Sequence, residues 1–262
     1  MIKIGVPYWY GEHPFNKFVK KTIKQNIDFI EISLNYPHPD KIGDIETIKR
    51  KFNIDISFHS AWADISLCNP IDSIRKTSIE IIKNHINFSK KFNPLYFVFH
   101  QSTRLPTIKF DDIRDIIYKN AIKTTENLFE FGNNIALENM SFPLLFGSST
   151  DMLFILNNEN GNICLDIGHI AKYCARTRKN FKEEFDKWIN IFKEKILVVH
   201  LHDFIPPEKD HVPIGTGKLD IEYIIKRIKE TNCKYILLEY HHNFNFNTYG
   251  RDITKIRNML NI

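Results

Sequence analysis

The chain has 262 residues, of which 43% are hydrophobic, including 21 Phe and 10 Tyr. That supplies one buried core of the size an α/β barrel needs, about 250 residues, and excludes a disordered chain. The formal charge of +5, from 36 Lys and Arg against 31 Asp and Glu, has no block of like charge; it permits phosphorylated or nucleic-acid partners and requires neither.

Eight short β-branched or aromatic runs recur in chain order, at residues 2–6, 29–34, 54–59, 96–100, 135–138, 163–166, 196–202 and 235–240. They are almost continuously apolar, as parallel strands covered on both faces should be. Between them lie stretches of helical periodicity. From 71 to 92 the apolar positions include Ile74, Ile81, Ile82, Ile86 and Phe88, and 111–131, 181–192 and 221–228 repeat the pattern. Asp72 and Ser73 after Pro70, and Asp220 before Ile221, mark helix starts. The helices after the first, second and fifth strands are less clearly patterned. Eight strands leave about 33 residues for each strand and crossover helix. With no Pro/Gly/Ser linker, the expectation is one (β/α)8 TIM barrel domain over 1–262. An open doubly wound sheet is the other arrangement that alternation allows.

Cys68, Cys164, Cys174 and Cys233 are far apart and form no Cys-x-x-Cys pair, which suits buried thiols in a reducing compartment. Met1 leads directly into strand-like sequence, without a signal peptide, and no apolar run approaches the roughly 18 residues of a membrane span. A cytoplasmic protein with no membrane partner is expected.

The strand ends carry the chemistry. Glu31, His59, His100, Glu138, Asp166, His200 with His202, and Glu239 fall at or near the carboxyl ends of seven of the eight runs. In a barrel those ends meet at one rim, where active sites of this fold are built. Several carboxylates converging there repel one another unless a cation or protons intervene. Carboxylates and imidazoles without thiolates suit Mn²⁺, Zn²⁺, Co²⁺ or Mg²⁺. Glu138 and Glu239 are the strongest single candidates, because an unpaired near-buried Glu is rarely tolerated. Asp166-Ile167-Gly168-His169 places two further candidates on one turn, with Gly168 expected to let the backbone bend.

From residue 54 to 240 the chain resembles the xylose isomerase-like barrels, a superfamily of small-sugar isomerases and epimerases that also includes endonuclease IV-type enzymes of abasic-site DNA repair. The resemblance is carried by His59 to Pro70 with Arg75 downstream, Phe99-His100, Leu137-Glu138-Asn139 and Cys164 to His169. It continues through His200-Leu201-His202-Asp203, His211 to Gly217, and Leu238-Glu239. It implies a metal cage of Glu138, Asp166, His200 and Glu239. It also matches His59, His100, His169 and His211 to positions that carry further zinc ions in the repair branch, giving one to three ions in all. In the sugar branch comparable histidines line the substrate pocket.

Two functions follow from the resemblance. In the first, a sugar isomerase or epimerase, Glu138 and Glu239 move a proton on the carbon beside the substrate carbonyl, while Trp62, His169, His202 and His211 contact a small sugar-like substrate. The aromatic stretches 7–10 and 244–249 can add walls to that pocket, or merely pack at the rim. In the second, a zinc-dependent endonuclease cleaves abasic DNA, with Trp62 as a probing aromatic. Three departures weigh against the second. Lys209 stands where a third zinc wants an aspartate, with Asp210 beside it. Gln101-Ser102-Thr103 replaces a Pro-Gly-Ser-His run, and the loop 35–44 lacks an Arg/Gln-rich insertion. One departure weighs against the first: Pro206 and Pro207 occupy a stretch that often holds an arginine.

Overall fold

A computed structural model describes residues 1–9, 14–35, 45–102, 110–142, 146–156, 161–241 and 245–262. Tyr10, Thr103, Phe244 and positions 36–44 of the loop after the second strand lie outside the described residues. In chain order the elements are β1 (Lys3–Tyr8), α1 (Phe15–Thr22), β2 (Phe29–Ser33), α2 (Ile45–Phe52), β3 (Asp55–His59), α3 (Asp72–Lys90), β4 (Phe97–Phe99), α4 (Phe110–Phe129), β5 (Ile135–Glu138) and α5 (Ser149–Leu156). They continue with β6 (Asn162–Asp166), α6 (Ile167–Thr177), α7 (Phe181–Phe192), β7 (Ile196–Leu201), β8 (Asp203–Ile205), β9 (Lys209–Val212), α8 (Ile221–Ile228), β10 (Tyr235–Leu238) and α9 (Phe246–Leu260).

Eight strands close into a ring in the order β1-β10-β7-β6-β5-β4-β3-β2, with the pairing parallel throughout. The doubly wound alternative is thereby excluded. Strands apolar on both faces need cover on each, and in the closed ring helices supply it outside and packed side chains inside. Inside, Phe29 sits edge-on to Tyr96 and Tyr235, with ring centroids 5.8 and 5.9 Å away. Tyr96 directly precedes β4 and Tyr235 opens β10, neither strand a neighbour of β2, so the rings meet across the barrel axis and plug its lower half. Above this plug the strands run out into polar side chains.

Three elements depart from the sequence reading. Helix α6 begins immediately after β6, with Asp166 as its N-cap, so Gly168 lies in the first helical turn rather than at a bend. Its missing Cβ matters for another reason: a methyl there would fall 1.8 Å from Cε1 of His202. A small antiparallel hairpin, β8 with β9, folds over the rim after β7. Phe246 and Tyr249 belong to α9 instead of a pocket wall; Tyr249 stacks on Tyr240 at 5.1 Å and Phe246 packs against Phe18. For 246–249, rim packing is the outcome.

Candidate metal centre

Glu138 and Asp166 are the last residues of β5 and β6, His59 ends β3, His100 follows β4 directly, and Glu239 follows β10. His200 is the penultimate residue of β7, in register with Asp166 and with Leu237. All six side chains are buried, and all belong to the same end of the ring.

The ends of β5 and β6 are tied by one side chain, because Asn139 Oδ1 accepts from the Asp166 amide at 2.7 Å and Asn139 Nδ2 donates to the Asp166 carbonyl at 3.0 Å. Asp166 then caps α6 by accepting from the His169 amide at 2.6 Å, which brings His169 onto the rim one turn later. His169 Nδ1 lies 2.9 Å from the Asn139 carbonyl and 3.3 Å from Glu138 Oε1. A proton on Nδ1 leaves the far nitrogen free as a donor to a ligand.

Donor atoms crowd together at this rim. Glu138 Oε2 is 3.1 Å from His59 Nε2, 2.9 Å from His100 Nε2 and 3.5 Å from His200 Nδ1. Glu239 Oε2 is 3.0 Å from His200 Nδ1 and 3.5 Å from His211 Nε2. Asp166 joins Glu138 and His169 in one group of donor atoms within 4.8 Å of one another, and His202, His211 and Glu239 in a second; His59, His100 and Glu138 form a third. The rim thus brings together Glu138, His200 and Glu239 directly, and Asp166 through its groups with each glutamate.

The residues fit a divalent cation. Metal–ligand bonds of about 2.0–2.2 Å hold neighbouring donors roughly 3 Å apart, the spacing found here. Glu239 Oε2 and both ring nitrogens of His200 are buried without a hydrogen-bond partner, although the 3.0 Å approach between them is short enough for one. Among the described ion pairs, only imidazoles approach Glu138, Asp166 and Glu239. Three buried carboxylates without Lys or Arg compensation call for a cation.

Electrostatics agree. Burial alone would raise the three carboxyl groups, but the surrounding imidazoles outweigh it and hold all three below the ordinary carboxylate range. Reciprocally, burial opposes charge on the histidines, yet the carboxylates push His169 up to about 9 and His211 up to about 10. His100, with burial dominant, is lowered.

His202 is placed differently from the other histidines. Its Nδ1 accepts from the His211 amide at 2.8 Å, so its proton resides on Nε2, which donates to both Asp166 oxygens at 3.1 Å. Both nitrogens are spent and the ring does not line the cavity described below. In this arrangement the His202 ring faces Asp166 and orients its carboxylate. Asp203 is likewise committed, since its carboxylate accepts from the amides of Phe204, Gly215, Gly217 and Leu219 at 2.8–3.0 Å and folds the loop after β9. A Cβ on Gly217 would fall 2.3 Å from Asp203 Oδ1, which explains the second glycine of Gly215-Thr216-Gly217.

His211 has a positive φ of 53°, a strained setting for a residue with a side chain, and it is sandwiched between His202 at 4.0 Å and His241 at 3.8 Å. Asp210 Oδ1 lies 3.2 Å from His211 Nδ1, and Lys172 bonds the other oxygen at 3.0 Å. Over the donors lies a cavity of about 550 Å³, lined by Glu138, Glu239, His59, His100, His169 and His211 below and by Trp9, Trp62, Met140 and Phe142 around the sides. The sequence reading quoted Asn139 beside Glu138 without giving it a role, and passed over Trp9 as an individual residue, Lys172 and His241. Only Asn139 carried a local signal, its place beside Glu138.

The fold and the rim define a class. The chain matches the xylose isomerase-like TIM barrel family over residues 19–259 and belongs to it. Among solved structures it is similar to a D-tagatose 3-epimerase-like protein, at 23% identity and a TM-score of 0.80 over 99% of this chain and 97% of that one. It is also similar to the IOLI protein solved with a zinc atom, at 16% identity and a TM-score of 0.74 over 99% and 98% of the two chains. The probable endonuclease 4 of Petrotoga mobilis is 26% identical over 253 residues, covering 85% of each chain. The structures it resembles include an epimerase-like protein and a zinc-bound barrel, and the rim is a cluster that can bind metal.

Proposed function

We propose that this protein is a divalent-metal-dependent isomerase or epimerase of a small sugar or related hydroxy-carbonyl compound. The observation that carries this reading is the cavity: about 550 Å³, walled by Trp9 and Trp62 and floored by two ionised glutamates. Sites of roughly 300–1,000 Å³ enclose single small molecules.

Glu138, Asp166, His200 and Glu239, linked by the His200 approaches to both glutamates and by the overlapping donor groups that include Asp166, would hold the ion, with His59, His100, His169 and His211 available to it or to a second one. When bound, a divalent cation supplies Lewis acidity towards a substrate carbonyl and makes the neighbouring carbon acidic enough for a carboxylate to deprotonate. The protein's part is proton transfer. β5 and β10 are three positions apart in the ring of eight, so Glu138 and Glu239 approach the cavity from well-separated sides. Glu138 takes the carbon-bound proton, and Glu239, after receiving a proton from the charged His211 ring 3.5 Å away, returns one to the opposite face, which inverts that carbon; solvent then takes the proton from Glu138 and restores that of His211. His169 and His211 donate hydrogen bonds to hydroxyls, and Trp9 and Trp62 exclude water from the reacting face.

Deuterium exchange tests this. Wild-type protein loaded with Mn²⁺ or Co²⁺ should wash solvent deuterium into one ketose of a panel, and Glu138→Gln and Glu239→Gln should each slow that exchange at least about 100-fold. A panel without any exchange would contradict the reading.

Endonuclease action on abasic DNA is the second reading. The second donor group, His59, His100 and Glu138, and the similarity to probable endonuclease 4 support it. Against it, the cavity lining includes one lysine, Lys172, already paired with Asp210, whereas DNA affinity needs several basic contacts. Chelator-sensitive nicking of an abasic duplex, lost in Glu138→Gln, would replace the sugar reading.

A further inference from the structure

Below the metal-ligating rim, inside the barrel, lies a layer of polar side chains that the proton transfer does not use. Glu31 on β2 is 2% exposed and His200 is fully buried. Their facing atoms, Glu31 Oε2 and His200 Nε2, are 3.4 Å apart, and neither has a hydrogen-bond partner. The Tyr96 phenol and the Ser57 hydroxyl lie in the same interior, with Tyr96 facing both Ser57 and Glu31. A carboxylate at such a depth needs a reason, because an unpaired one is rarely tolerated.

The opposite edge of the same imidazole supplies the reason. His200 Nδ1 points at Glu239 Oε2 and Glu138 Oε2, at 3.0 and 3.5 Å. A neutral imidazole carries one proton; on Nδ1 it would face the two rim carboxylates and block a cation, and on Nε2 it faces Glu31 and leaves Nδ1 as a lone pair. We infer that Glu31 is a positioning residue that holds the His200 proton on Nε2 and thereby turns Nδ1 towards the metal shared by Glu138 and Glu239. The arrangement is a carboxylate–imidazole–metal line running up the barrel axis, with Glu31 touching neither metal nor substrate.

Cys164 competes for the same space. Its Sγ belongs to a donor group with Glu138 and His200. Were the cation to sit there, a thiolate would ligate it and His200 would turn inward. Co²⁺ distinguishes the two placements, because a thiolate ligand adds a charge-transfer band in the near ultraviolet.

The inference rests on the metal-dependent reading of the rim, and the experiment keeps the two apart. Zinc and Co²⁺ affinities are measured by competition with a chromophoric chelator for wild type, Glu31→Gln and Cys164→Ser. Wild type should bind, Glu31→Gln should bind about 10- to 100-fold more weakly with an altered Co²⁺ visible spectrum, and Cys164→Ser should match wild type. Equal affinity and spectrum for Glu31→Gln would overturn the role of Glu31 while leaving the metal site intact. A near-ultraviolet thiolate band lost in Cys164→Ser would overturn it too, and a wild type that binds no divalent ion would sink both readings. Should Glu31→Gln fail to fold, long-range ¹H–¹⁵N spectra of zinc-loaded wild type decide: the His200 proton is expected on Nε2, and a proton on Nδ1 contradicts the inference.

Discussion

The carboxylates of this rim are kept ionised by imidazoles, and in return they keep His169 and His211 protonated, so a metal ion must compete with protons for its ligands. In metal-free protein His169, at about 9, and His211, at about 10, carry charge at neutral pH. Their folded pKa values exceed the ordinary histidine value of about 6.5, so the stability they contribute is present below that value and is lost as pH rises towards 9–10. Chelated protein should therefore lose thermal stability between pH 6.5 and 10. The increment from added Zn²⁺ should grow over the lower part of that range, with protons released on binding. Calorimetry in buffers of differing ionisation enthalpy measures that release; metal uptake without it would contradict the protonation states assigned to the rim. Gly168 is a second test at this scale. Gly168→Ala drives a methyl against the His202 ring, and should cost on the order of 2 kcal/mol in urea unfolding and weaken metal binding by displacing Asp166. A fully stable variant would mean that His202 has room to move.

At the scale of elements, what sequence pattern reveals is what has a period. Helices α7 and α8 coincide with the expected 181–192 and 221–228, and β5 with 135–138, because an apolar stripe or run flanked by polar residues fixes both ends. Helix α6 escaped notice because it starts on the residue that ends β6, with no turn residue between them to signal the change of period. The β8–β9 hairpin escaped because Pro206, Pro207 and the charged 208–210 stretch read as loop. Site residues were legible to the extent that they sat at strand ends, as Glu138, Asp166 and Glu239 do. Lys172 and His241 come from a helix face and a loop, where only the folded chain shows what they border. Inter-element caps are also invisible in sequence. Glu184 of α7, 3% exposed, accepts from the amide and hydroxyl of Ser149 at the start of α5 at 3.2 and 3.0 Å. Glu184→Ala should cost about 1–3 kcal/mol in urea unfolding and leave metal affinity unchanged, since neither Glu184 nor Ser149 lines the cavity or belongs to a donor group. Asp203→Ala should cost at least as much, through four backbone amides, and should also loosen the loop after β9 and with it the β8–β9 hairpin that carries His211 to the cavity.

At the scale of the molecule, the aromatic plug of Phe29, Tyr96 and Tyr235 closes the barrel below the polar layer, so the donors are reached from the rim side. Among the described residues no helix is long and apolar enough to cross a membrane. Convergence of side chains scattered from Glu138 to Glu239 on a common ion is the claim from which the chemistry follows. Anomalous X-ray scattering at the zinc edge, from crystals grown with Zn²⁺, tests it most directly. A peak about 2.0–2.3 Å from donor atoms of Glu138, Asp166, His200 and Glu239 is the expected result. Well-ordered side chains at those four positions with no peak within bonding reach would contradict it.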